Sequence, residues 1–355
     1  TRCGDGSPFA FWVHLAPVGQ PVNNVVVFLP GGGSCVDGPD CAATSADLFE
    51  SVADTMAGTG AMSSTAATNP FRDWTKVFLP YCTQDGHAGG GIVNAFPEKT
   101  VYRYGAVNVR TGLRYVRDVL WAAMDAADPE GFRPDRLKVV LSGSSAGGIG
   151  AQFNYHYVLD DLRWTHTTLV PDSSLGVDNG AGATLQRGAI VMGATTPGWG
   201  GEAYAPPYCH DVTCGEGWNR FLFAMAPRLK TTPEQQVLSI SNQRSVGQFA
   251  SNAHFINTVR TKYCEQRGTN GLHGWLDDTQ PQVHGNINDN QRFNGADVDG
   301  VLLRDFLGQA MANPDGVADR VGTGLTSING VQPFPCDVGS PSGAVRRRAR
   351  CPAAN

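Results

Sequence analysis

Apolar residues fall along this chain in two spacings. Short unbroken runs that end at proline or glycine read as strands buried on both faces. Val25-Val-Val-Phe-Leu29 stops at Pro30, Lys76-Val-Phe-Leu-Pro80 follows a loop rich in Ser, Thr, Ala and Asn, and Leu137 to Leu141 runs into a glycine-rich turn. Thr167-Thr-Leu-Val170 and Gln236-Val-Leu-Ser-Ile240 repeat the pattern, the second as the last clear strand, and Phe9 to Leu15 is a further apolar-enriched strand. The other spacing is helical: Val109, Leu113, Val116, Leu120 and Met124 step by four, three, four and four, one face of an amphipathic helix. Helices are also predicted from Gly148 to about Leu159 and around Val301 to Met311.

Strands separated by helical stretches predict an α/β fold, a mostly parallel sheet with helices on both faces. Residues 178–235, rich in Gly, Pro, Trp and Tyr, break both spacings and are expected to form an irregular or helical cap. The length suits one large domain over 1–355. In such sheets ligands bind where strands end at their carboxyl edge. Gly31, Ser145, Asp172 and Asn242 each follow a strand closely, so they are expected to gather there.

Two of these strand ends carry chemistry. Gly143, Ser145 and Gly147 form G-x-S-x-G, whose small residues permit a tight strand-to-helix turn that lifts Ser145 into a cleft. The Ala146 amide then lies at a helix N-terminus, where unpaired N–H groups bind a developing oxyanion. Gly31-Gly-Gly-Ser-Cys35 suits either a phosphate cradle or half of an oxyanion hole, and lacks the further residues of a phosphate motif. A serine nucleophile needs a histidine base. The order Ser, acid, His rejects His14 and His87 and leaves His254, His273 and His284, while His156 and His166 read as structural.

Composition narrows the setting. The nine cysteines, among them the local pairs Cys35/Cys41 and Cys209/Cys214, lack the matching C-x-x-C or H-x-x-x-H partner of a zinc site, so disulfides in a secreted or periplasmic protein are expected. No apolar run reaches the roughly 20 residues that span a bilayer. The first residues lack the apolar core of a signal peptide, as in a mature exported chain. Net charge is −5 and the one basic cluster, Arg346 to Arg350, is short and terminal, which argues against a nucleic-acid partner. A monomer without metal or cofactor is expected.

The series Cys3-Gly-Asp-Gly-Ser-Pro8, Gly31-Gly-Gly-Ser-Cys35, Asn69-Pro70, Trp74-x-Lys-Val-Phe-x-Pro-Tyr-Cys82, Gly143-Ser-Ser-Ala-Gly-Gly148 and Asp172-Ser resembles the pectin acetylesterase and Notum group of secreted carboxylester hydrolases. Val283-His284 and Val298-Asp-Gly-Val-x-Leu-x-Asp305 are similar to the histidine loop and following helix of bacterial members. The resemblance implies an α/β-hydrolase fold. It also implies Ser145 as nucleophile, His284 as base (His273 being the runner-up), and an oxyanion hole from Gly32, Gly33 and Ala146. The substrate it implies is an ester, such as an acetyl group on a polysaccharide. A lipase-like or polyester hydrolase, and a non-catalytic carbohydrate-binding protein, are the alternatives.

One position departs from the family. The aspartate expected after the last strand falls in Asn242-Gln-Arg-Ser245, and no Asp or Glu occurs between Gln235 and Cys264. Asp172 is the expected triad acid, with Asn242 and Asp289 as alternatives and helix or turn capping as the other role open to Asp172. Asp85 to Gly91 is expected either to line the cleft or to form a plain loop. Trp199, Tyr204, Tyr208 and Trp218 are expected either to form an aromatic wall or to lie in the core.

Overall fold

The computed structural model describes residues 1–20, 23–50, 58–130, 137–164, 166–174, 198–205, 235–245, 252–266, 271–279, 283–333 and 336. Most of the expected cap, the Cys209/Cys214 pair, Cys351, Tyr208, Trp218 and the basic cluster lie outside these.

Its strands are β1 (Trp12–His14), β2 (Asn24–Leu29), β3 (Thr75–Phe78), β4 (Ile92–Ala95), β5 (Thr100–Arg103), β6 (Lys138–Ser144), β7 (His166–Asp172), β8 (Gln236–Asn242), β9 (Leu272–Asp277), β10 (Asp297–Val298), β11 (Val301–Leu302) and β12 (Arg320–Val321). Eight form one sheet in the order β1-β3-β2-β6-β7-β8-β9-β12. All its pairings are parallel except that of the edge strand β1 with β3. β4 and β5 make a separate hairpin.

The continuous apolar runs are explained by burial on both faces. Val25, Val27 and Leu29 pack on one side with Val109, Leu113, Val116 and Tyr155. Val26 and Phe28 pack on the other with Trp275, Ile287, Phe306 and Leu307. The predicted helix at Val109 to Met124 is observed as α2 (Gly105–Tyr115), a π-helical turn at Val116–Leu120, and α3 (Trp121–Ala127), with all five apolar positions buried. Helix α4 (Ala146–Asp160) follows β6, and the last predicted helix is present at Leu303–Ala312.

One expectation fails. Gln236–Ile240 does not lie in the last strand, because β9 and β12 follow β8. β9 reads Leu-His-Gly-Trp-Leu-Asp, and its histidine and glycine break the apolar run by which the other strands are recognised.

Candidate active site

The turn between β6 and α4 holds Ser145 at φ 56°, ψ −124°, as N-cap of the helix. That left-handed backbone is strained for a non-glycine residue, and its neighbours over-determine it. The Ser145 amide donates to the Asp172 carbonyl at 2.9 Å. A Cβ on Gly147 would lie 1.9 Å from the Leu29 carbonyl oxygen, and one on Gly31 would lie 2.6 Å from the Ser145 Cβ. Only glycine lets strand end, helix start and the Gly31 loop approach so closely.

The glycine loop is held from behind. Tyr81 Oη donates to the Gly33 carbonyl at 2.8 Å and accepts from the Gly86 amide at 2.7 Å. Cys35 is bonded to Cys41, and its amide donates to the Gln84 carbonyl at 3.1 Å. The His87 Nε2–H donates to the Pro30 carbonyl at 3.0 Å, and burial pushes this imidazole down to about 4, so it stays neutral. The amides of Gly32, Gly33 and Ala146 donate to no other described residue.

Ser145 and His284 face one open cleft of about 350 Å³, whose other lining residues are Pro30, Gly31, Gly32, Gly33, Ser144, Gly285 and Asn288. They are not hydrogen-bonded to each other here. Such contacts commonly tighten only when substrate binds. Burial lowers the His284 pKa and the nearby Asp172 carboxylate opposes that shift.

The loop carrying His284 is clasped by Asp172, the fully buried last residue of β7. Its Oδ2 accepts from the amides of Asn286 at 2.5 Å and Ile287 at 2.9 Å, and from Ser144 Oγ at 3.3 Å. Its Oδ1 accepts from Asn286 Nδ2 at 2.8 Å and Ser173 Oγ at 2.9 Å. Asp172 therefore makes no hydrogen bond to His284, contrary to the direct contact expected of it; it holds the loop instead. The ring's Nδ1 lies 2.7 Å from Ser245 Oγ.

The other two acid candidates are also engaged elsewhere. Asn242 Nδ2 donates to Asp277 Oδ2 at 2.8 Å and its Oδ1 accepts from the Arg244 amide at 2.8 Å. Asp277 in turn pairs with Arg292. Asp289 caps the Asn290–Gly295 helix, accepting from the Arg292 amide at 2.7 Å.

A family model described as pectinacetylesterase matches residues 1–183, just over half of the sequence. The chain belongs to the pectinacetylesterase family. Palmitoleoyl-protein carboxylesterase notum1a of Danio rerio is 27% identical over 247 residues, 64% of this chain and 46% of that protein. Palmitoleoyl-protein carboxylesterase NOTUM of Homo sapiens is 28% identical over 45% of this chain and 30% of its own length. Pectin acetylesterase 5 of Arabidopsis thaliana is 29% identical over 45% of this chain and 35% of its own. The chain thus spans less than half the length of these curated relatives. A crystal structure of the Wnt deacylase Notum from Drosophila matches with a TM-score of 0.64 over 90% of this chain and 93% of that one. At 18% identity that likeness is one of fold.

In this pectinacetylesterase-family chain the remaining candidates fall away from the cleft. His273 and His166 sit at the amino ends of β9 and β7, the opposite edge of the sheet from Ser145. His254 is exposed on the Asn252–Gln266 helix, and His156 Nδ1 lies 2.9 Å from the Phe153 carbonyl. Asp85 to Gly89 are buried behind the glycine loop, where Asp85 accepts from Thr83 Oγ1 at 2.7 Å and the Gly105 amide at 2.9 Å. Trp199 is only 2% exposed and belongs to the core, and Tyr204 packs on the Arg110 guanidinium.

Sequence reasoning missed Ser245, Asn286 and the two serines, Ser144 and Ser173, that flank the Asp172 carboxylate. Ser245 closes the very window in which the resemblance places a carboxylate. A hydroxyl there carries no signal until the histidine loop is folded against it.

Proposed function

We propose that the chain is a serine carboxylesterase acting through an acyl-enzyme. The observation that carries this reading is Ser145 on a strained elbow, facing His284 across a cleft lined by Gly32 and Gly33, whose amides, like that of Ala146 beside the serine, donate to no other described residue. Ser145 Oγ attacks the ester carbonyl as His284 Nε2 takes its proton, and the three amides receive the oxyanion. Collapse of the tetrahedral intermediate breaks the C–O bond to the alcohol, which leaves with the proton from His284. Water then attacks the acyl-serine, giving its proton to His284, and the carboxylic acid departs as Ser145 Oγ regains that proton. Asp172 holds the His284 loop in place.

The substrate we infer is a short acyl ester, such as an acetyl group on a sugar polymer. Among the described lining residues Pro30 is the only apolar side chain larger than glycine, which favours a small acyl group over a long one. The bonds Cys3–Cys82, Cys35–Cys41 and Cys264–Cys336 support an oxidising, extracellular or periplasmic setting. No described helix is long and apolar enough to cross a membrane.

The test is hydrolysis of p-nitrophenyl esters of increasing chain length, with a fluorophosphonate probe to label the nucleophile. The expected result is turnover that falls with chain length and label on Ser145, both lost in Ser145→Ala. A preference for long chains would instead support the palmitoleoyl esters named for the animal relatives. Absence of both label and turnover would leave the binding-protein reading.

A further inference from the structure

A triad aspartate performs two tasks: it accepts the Nδ1–H of the histidine, fixing the ring's orientation and tautomer, and its charge stabilises the imidazolium formed when the base takes a proton. In this chain the two tasks fall to different residues. We propose that Ser245 is the positioning residue of His284, its hydroxyl accepting Nδ1–H in the reacting state, while Asp172 supplies the negative charge from beneath the histidine loop. This rests on the esterase reading above.

Three observations carry it. Ser245 Oγ lies 2.7 Å from His284 Nδ1 and has no other hydrogen-bond partner among the described residues. Ser245 is buried, and its amide donates to the Asn242 carbonyl at 3.0 Å, so its backbone is tied to the end of β8. Asp172, Asn242 and Asp289, the other candidates for the task, have their acceptor oxygens committed to Ser144, Ser173, Asn286 and Ile287, to Arg244, and to Arg292 respectively.

A hydroxyl differs from a carboxylate in a way that can be measured. It can accept Nδ1–H, leaving Nε2 free as the base, but it can also donate to Nδ1, which puts the ring proton on Nε2 and disables it. Ser245 therefore holds the ring without enforcing the working tautomer and adds no charge. When Nε2 takes the Ser145 proton, both ring nitrogens bear hydrogen and only the accepting arrangement survives, with the Ser245 hydroxyl proton turned away.

Among the described residues, the charged groups on the elements that hold the ring are Asp172 under the histidine loop, Arg244 next to Ser245 in the chain, and the Asp277–Arg292 pair against Asn286. Of these, Asp172 is the one that raises the His284 pKa.

The experiment compares Ser245→Ala, Ser245→Thr and Ser245→Asp with the wild-type chain. It reads kcat and the acid limb of the pH profile on a short p-nitrophenyl ester, together with the imidazole nitrogen shifts and pKa of His284 by NMR. Ser245→Ala is expected to lower kcat roughly 10- to 100-fold, below the factor of about 10⁴ that a triad aspartate commands, with little movement of the acid limb. Ser245→Thr keeps the hydroxyl and should retain most of the rate. Ser245→Asp should bias the ring to the Nδ1–H tautomer and move both the acid limb and the His284 pKa upward.

A Ser245→Ala chain with unchanged kcat and unchanged ring shifts overturns the proposal. So does a Ser245→Asp chain whose His284 pKa stays where it was. If the wild-type chain hydrolyses no ester, the esterase reading fails, while the tautomer and pKa of His284 in the three variants still decide whether Ser245 holds the ring. Thermal melts of each variant separate loss of fold from loss of function.

Discussion

The two walls of the cleft are built by different means. On the serine side, position is set by backbone: β2, β6 and α4 meet so closely that Gly31 and Gly147 have no room for a side chain. On the histidine side, position is set by side-chain hydrogen bonds, with Asp172 clasping a loop more than a hundred residues distant in sequence and Ser245 touching the ring. A wall of packed backbone tolerates loss of the reacting group and fails when volume is added. A wall of hydrogen bonds does the reverse.

The largest effect that should separate them is on rate. Ser145→Ala is expected to lower kcat by about 10⁴ or more while leaving the urea midpoint near the wild-type value, because the elbow does not depend on the hydroxyl. Retained turnover would break the assignment of the serine wall.

Asp172→Asn should damage rate and stability together. Three of its five hydrogen-bond donors lie in the histidine loop, and an amide cannot accept at both ends. We expect kcat to fall by roughly 10² to 10⁴ and unfolding free energy by about 3 kcal/mol, measured by urea titration. The pH profile supplies a sign. In the proposed mechanism His284 works as a neutral base, and burial lowers its pKa, so the acid limb should lie below the ordinary imidazole value. Asp172 raises that pKa, and Asp172→Asn should move the limb lower still. A limb that moved upward would contradict the placement of that charge.

Gly147→Ala is the converse test. Its new methyl would meet the Leu29 carbonyl and should cost roughly 3 kcal/mol, without touching the histidine wall. The last prediction concerns His87 behind the glycine loop, whose effect is confined to acid pH. Its folded value of about 4 lies below the unfolded 6.5, so the unfolded chain binds the proton first as pH falls. The resulting stability is fully present above pH 6.5 and is lost between there and about pH 4, to an extent of about 3 kcal/mol. In His87→Asn, denaturation midpoints should vary less over that window, and Asn tolerates the positive φ of this position.

The same contrast governs what can be read from sequence. The serine wall is legible because its constraints are local: an apolar run, a small-residue turn and a helix period occupy one stretch from Leu137 to Leu159. The Val25 to Leu29 strand and its glycine loop are legible for the same reason. The histidine wall is assembled from β7, β8 and the loop after β9, and no local pattern says that Asp172 will reach Asn286 or Ser245 will reach His284. His284 itself is expected from a resemblance and from chain order rather than from a local pattern. Asp172 is expected at a buried strand end and its side chain is there, but its partners follow only from the folded sheet, which brings residues 172 and 286 together.

Arg103 has a consequence for how this sequence can change. Its guanidinium, fully buried, donates from Nε to Asn94 Oδ1 at 2.7 Å, from Nη1 to the Gln84 carbonyl at 3.0 Å and to Cys35 Sγ at 3.3 Å, and from Nη2 to Cys41 Sγ at 3.2 Å. Replacing Asn94 takes from Nε, and replacing Cys41 takes from Nη2, the acceptor that the buried cation has there, so single substitutions at these positions are penalised even where the replacement residue fits. Positions 35, 41, 94 and 103 should therefore drift through evolution as a block.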